Sequence, residues 1–261
     1  MFEKRTPIEK ELLRIKKQED RWKKEALQKN PSKWKEELEA KIPEKAVEGL
    51  KKAFCKGFSI VFEKGTSVIE KTYKKDEIKK DHQIQNYAYE VKGRRKELKK
   101  LRGTAEKSSK LNMMLTTVEG IGLGVLGIGL PDIVLFVGMI LKGVYETALH
   151  YGFDYENEEE QYLILKMLEA SLAKGEEWER LNREVDRMLV KPIVIVEGKS
   201  VAEQIEKTGE AFALDMLLLK FIQGLPIVGV IGGASNPIYY HKIMKYVKVK
   251  YQKRYLLQLK Q

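Results

Sequence analysis

The stretch GIGLGVLGIGLPDIVLFVGMIL, residues 120–141, constrains this chain more than any other, because it is too apolar to be left in water. Three homes can be argued for it. A literal G-x-G-x-x-G at Gly122, Gly124 and Gly127 invites a phosphate cradle. That fingerprint needs a strand before it and an uninterrupted helix after it. Here Leu130-Pro131 interrupts the chain three residues past Gly127, and no Gly-Lys-[Ser/Thr] follows to complete a P-loop, so the cradle is rejected. The second home is a bilayer. Ile121–Leu141 carries one charge, Asp132, near its centre. Its apolar residues are worth roughly −4 to −8 kcal/mol of insertion, and a central aspartate costs roughly 2.5–3.5 kcal/mol, before glycines and proline take away more. A partner span over 213–234 would carry both Asp215 and Lys220. A two-span membrane component therefore stands as an alternative.

The third home is a packed helical core, and the residues favour it. Pro131 suits the first position of a helix and Asp132 suits its positive end, so the stretch divides at Leu130-Pro131. Gly120 and Gly124 are four apart, as are Gly229 and Gly233, a spacing that lets helix backbones approach closely. Gly-Leu-Pro occurs at 129–131 and again at 224–226. Two glycine-rich apolar helical segments packed centrally are the expectation.

The rest of the chain reads as helices. Thr6-Pro7-Ile8-Glu9 is a capping box with proline at the first helical position. The residues up to 44 hold few apolar side chains, so a basic N-terminal arm, peripheral to the core, is expected ahead of a helical domain over 45–261. Ala46, Val47, Leu50, Phe54, Phe58, Val61 and Phe62 recur at three- and four-residue spacing, marking a core helix that runs past Ile69. One polar helix is predicted from about Asp76 to Leu101, stopping at Gly103 after a run of bases. Gly152 should close the helix begun at Pro131, and Asn157 should cap the next, with Gly175 past its end. Trp178, Leu181, Val185 and Met188 mark another helix. Ser200–Glu203 opens a further one, and Asn236-Pro237 starts the last. The only strand-like run is PIVIV at 192–196. The fold class is all-α, a multi-helix globular bundle.

Charge narrows the partners. Residues 1–110 carry a net +13 and residues 111–261 a net −2, while 152–187 is acidic. From Lys242 to Lys260 there are seven bases and no acid. Lys242, Lys245 and Lys248 recur every three residues, with Lys253 and Arg254 beyond them and tyrosines alongside. Such a basic amphipathic helix suits an anionic lipid surface; a core helix with a lysine-rich outer face explains it as well. Nucleic acid is not expected, since no recognition module is present. The single Cys55 and the polar N-terminus point to a cytoplasmic setting.

Chemistry is sparse. Three histidines and one cysteine form no H-E-x-x-H or C-x-x-C, so neither a metal nor a cofactor is expected. Glu146 and His150 share a helix face beside Lys142 and Thr147, which is read as a solvated polar stripe; a hydrolase built on that pair is the weaker alternative. Cys55 is read as a small core residue, and the chain is not expected to be an enzyme.

Four stretches in order, GIGLGVLGIGLPDIVLF, ALHYGFDYENEEEQYLIL, FIQGLPIVGVIGGASNPIYY and YQKRYL, resemble the bacterial EcsC protein family over roughly residues 45–257. The family takes its name from a protein encoded beside an ABC transporter in Gram-positive bacteria. The resemblance implies a mainly helical fold and supplies no catalytic residue. It makes Gly122, Gly124, Gly127, Gly129, Pro131, Asp132, Tyr151, Gly152, Gly229, Gly233 and Asn236 a structural signature. The expected function is a non-enzymatic protein at the inner face of the membrane, contacting acidic lipid or ABC transporter subunits, with Lys242, Lys245, Lys248, Lys253 and Arg254 as the anionic-surface contacts.

Overall fold

Helices start where side chains can cap them. The Thr6 amide donates to the Glu9 carboxylate at 2.9 Å and the Glu9 amide donates back to Thr6 Oγ1 at 3.2 Å, opening α1 (Pro7–Gln28). Next come α2 (Glu44–Ile60), a π-helical turn (Val61–Gly65) and α3 (Thr66–Glu70), which together are the predicted core helix past Ile69. Then follow α4 (Lys75–Lys92), α5 (Arg95–Leu115) and α6 (Pro131–His150). The Asn157 side chain accepts the Glu160 amide at 2.7 Å and opens α7 (Glu158–Leu172), followed by α8 (Gly175–Val190). Ser200 Oγ accepts the Glu203 amide at 3.1 Å to open α9 (Val201–Ile222), and α10 (Ser235–Gln258) closes the fold. This computed structural model describes residues 5–28, 42–115, 131–190, 200–222 and 235–260. Among the described residues the regular structure is all helical, and the PIVIV run at 192–196 lies outside them.

One predicted helix is two. The chain reverses at Gly93, whose φ of 58° is the left-handed conformation that ends α4, with its amide donating to Tyr89 O at 2.7 Å. Gly103 lies in the middle of α5. The run of bases that looked like a helix C-terminus is the turn of an antiparallel hairpin and the first turns of its second helix.

Helices α6, α7 and α10 form the centre. α6 packs against α10, α2, α5 and α4, and α7 packs against α9, α8 and α10. α2 lies along α9, and Phe54, Phe58, Phe136 and Phe212 interlock there with ring centroids 5.1–6.3 Å apart. Close approach of α6 to α10 depends on Gly143, where a Cβ would come within 3.1 Å of the Met244 sulfur. The segments around Gly122, Gly124, Gly127, Gly129, Gly229 and Gly233 lie outside the described residues. Pro131 does open α6, with Asp132 next, and Asn236 lies in the first turn of α10. α6 is apolar enough over Ile133–His150 to cross a membrane, with mean hydropathy 1.5, yet 94% of that window is buried within the bundle.

α1 is not peripheral. It packs against α8, α10 and α5, and Ile15 joins the main core. Glu11, at 0% exposure, receives Arg95 Nε at 2.7 Å, Arg102 at 2.8 Å and Arg14 at 3.1 Å. Burial alone would raise the Glu11 carboxyl; the hydrogen bonds from Arg95 and Arg14 and the charge of Arg102 overcome it and hold it below the usual carboxylate range. Residues 29–41 of the expected arm, Trp34 and Leu38 among them, lie outside the described residues.

Removing that carboxylate leaves guanidiniums facing an apolar seam. Glu11→Ala is expected to lower unfolding stability by about 2–3 kcal/mol, less than a fully buried pair because the arginines keep partial access to solvent. Urea unfolding at neutral pH measures it. A change within about 0.5 kcal/mol would show that Glu11 does not hold α1.

Candidate anionic-surface interface

The expected basic face on α10 does not exist as a free surface. Lys250 has 0% exposure and pairs with Glu19 and Asp186, the latter at 2.7 Å. Lys253 pairs with the same two carboxylates, at 2.8 and 2.9 Å, so four charges join α1, α8 and α10. Arg254 donates to Glu160 at 2.6 Å and lies over the Phe153 ring. Lys242 pairs with Asp215 at 3.2 Å; Asp215 also takes Lys174 at 2.6 Å. Burial would raise the Asp215 carboxyl, and the two lysines hold it below the usual range instead. Lys245 is exposed over the Trp22 ring, and Lys248 is half-buried and partnered. Buried residues cover most of α10, so a lysine as enclosed as Lys250 requires carboxylates beside it.

A dense group of unpaired bases lies on the α4–α5 hairpin. Residues 92–107 hold eight lysines and arginines against two glutamates, a net +6. Arg95 and Arg102 turn inward to Glu11. Lys92, Arg94, Lys96, Lys99, Lys100 and Lys107 are exposed, and among the described residues none has an ion-pair partner. Lys96, Lys99, Lys100 and Lys107 share the outer face of α5 by helical spacing, opposite the buried Leu98, Leu101 and Ala105.

The hairpin is held from one side. Lys75 pairs with Glu70 at 2.7 Å and with Glu156, and Lys79 pairs with Asp154 at 3.5 Å. His82 Nδ1 lies 3.0 Å from His150 O, Asn86 accepts the Tyr255 hydroxyl at 2.7 Å, and Gln85 donates to Thr104 at 3.2 Å across the hairpin. Residues 75, 79, 82 and 86 form the inward stripe of α4. Lys80, Ile84, Tyr87 and Val91 form the opposite one, with the last three 66%, 67% and 64% exposed. Gly152 helps to seat the hairpin: its φ of 80° ends the turn after α6, and a Cβ there would run into the His82 ring. Tyr151 beside it is buried.

Behind the hairpin, α6 carries a polar seam that the sequence had placed in solvent. Lys142, Glu146 and His150 are all buried. Lys142 donates to Thr72 O at 3.2 Å, and Glu146 accepts the Ser108 hydroxyl. His150 Nε2 is buried without a hydrogen-bond partner, so the Glu146–His150 dyad is not formed through that nitrogen. Cys55 is half-buried, packed where a Cβ on Gly209 would strike its sulfur, and burial pushes its thiol up. Among the described residues no cluster of histidine, cysteine and carboxylate could hold a metal ion.

A family model described as the EcsC protein family matches residues 7–256. The chain belongs to the EcsC family. The match takes in α1, which lies outside the 45–257 resemblance, and agrees with the packing of α1 into the core of this EcsC chain. No curated protein and no solved structure matches it.

Burial takes the His150 imidazole down to about 4 from an ordinary 6.5. The unfolded chain binds that proton below about pH 6.5 and the folded chain only near 4, so the stability from this group is complete above pH 6.5 and lost as pH falls through that window. About 3 kcal/mol of acid destabilisation is expected from it. Urea midpoints compared at about pH 7.5 and about pH 5 should converge in His150→Phe; an unchanged slope would place the acid sensitivity elsewhere.

Proposed function

We propose that this EcsC-family protein works by binding the anionic cytoplasmic face of a membrane rather than by catalysis, as an accessory of a membrane system such as an ABC transporter. One observation carries the reading: the six exposed bases of the α4–α5 hairpin that no carboxylate among the described residues neutralises. Basic residues near an acidic leaflet contribute about 1 kcal/mol each, so six are worth up to about 6 kcal/mol at low salt. The partner class of the sequence-based expectation is kept, and its site moves from α10 to the hairpin. Burial of α6 supports attachment at the surface over a span through the bilayer.

Flotation with phosphatidylglycerol–phosphatidylcholine vesicles and with pure phosphatidylcholine vesicles tests it. Binding is expected only to the anionic vesicles and should weaken as salt rises. Lys96→Glu, Lys99→Glu and Lys100→Glu together should abolish it without changing the thermal midpoint by more than a few degrees, whereas Lys245→Glu should leave it intact. Equal flotation of the triple variant and the parent protein would overturn the assignment.

A further inference from the structure

Charge explains attraction to an acidic leaflet; it does not explain why α4 turns Ile84, Tyr87 and Val91 to solvent. Five large hydrophobic side chains are exposed among the described residues, and three of them stand on this one stripe. They recur at three- and four-residue spacing, so they form a continuous ridge about 10 Å long. The helix buries no residue fully, and the hydrophobic side chains it does pack against the core, Ile78 and Tyr89, lie on its other side, so the ridge is not the spill of an apolar core helix. Lys80 stands at one end of it, and Lys92 and Arg94 at the other.

We infer that the Ile84–Tyr87–Val91 ridge is an insertion anchor, entering the headgroup–acyl boundary of an anionic bilayer while the flanking bases hold lipid phosphates. The inference rests on the membrane reading above and adds its mode: shallow insertion instead of adsorption. Interfacial helices lie with their apolar face about 5–10 Å into the headgroup–acyl boundary, and tyrosine favours that depth. A second copy of the chain is the poorer occupant, because ridge-on-ridge pairing would bring together two hairpins of net +6. Nucleic acid would satisfy the bases and leave Ile84 and Val91 in water. The outward ridge beside unpaired bases selects a surface that is both anionic and apolar just beneath.

The anchor is tested by single-cysteine probes in a Cys55→Ala background. An environment-sensitive fluorophore is attached through Ile84→Cys or Tyr87→Cys, with Lys207→Cys on α9 as the control. With phosphatidylglycerol–phosphatidylcholine vesicles, probes at 84 and 87 should shift to the blue and be quenched by a shallow nitroxide lipid, and the probe at 207 should do neither. The combined variant Ile84→Ser, Tyr87→Ser, Val91→Ser touches no core contact and should unfold like the parent. It should still float at low salt, and at roughly 0.5 M salt it should partition about tenfold less than the parent. Parent protein that floats while the probes at 84 and 87 stay unshifted would leave the membrane reading standing and overturn the anchor. Failure of the parent to float under any salt would overturn both. A parent dimer in sedimentation that the serine variant converts to monomer would also overturn the anchor, making the ridge a self-association face.

Discussion

The fold depends on neutralising Lys250. α10 carries a run of bases without an acid, yet it passes between α6, α7, α8, α5 and α1. A helix of that composition can lie inside a protein only if its neighbours deliver carboxylates. Glu19 comes from α1, Asp186 from α8, Glu160 from α7 and Asp215 from α9. Each acid arrives from a different helix, so pairing also sets how those helices sit around α10. Buried pairs of this kind add little net stability over apolar packing, and they penalise any arrangement that separates them. Their main effect is to select one packing out of many.

The same neutralisation determines where positive charge is left over. Carboxylates on α1 serve twice, at Glu19 for α10 and at Glu11 for the inner arginines of α5. What they do not reach is the outer face of the hairpin. Its base is fixed by ion pairs at Lys75 and Lys79 and by the His82 contact, and among the described residues its outer lysines have no ion-pair partner and its apolar ridge is exposed. A charged, ridged element on a rigid base is the kind of feature that can present a surface without disturbing the core.

Helix caps and stops are legible in the sequence because their physics is local. The Thr6–Glu9 and Ser200–Glu203 caps, the Asn157 cap, and the stops at Gly152 and Gly175 each involve residues within a few positions of one another. Gly93 carries the same kind of signal, a glycine after Lys92, but the base-rich run beyond it resembles a helix C-terminus and points to Gly103 instead. Placing Lys142, Glu146 and His150 in solvent failed for a different reason. Periodicity places residues on one face, and only the arrival of α4 and α5 over that face buried them.

The sequence by itself determined the all-α class, most helix ends, the start of α6 at Pro131, and the family. These follow from turn chemistry, capping and the 3.6-residue period, all of which act over one or two helical turns. Tertiary structure alone decided which bases are available. Lysines on α10 and lysines on α5 look alike in sequence, and the difference is that an acid more than two hundred positions away, Glu19 on α1, folds back onto α10. Pairing across such separation depends on how helices pack, because a charge finds its partner through space and not along the chain.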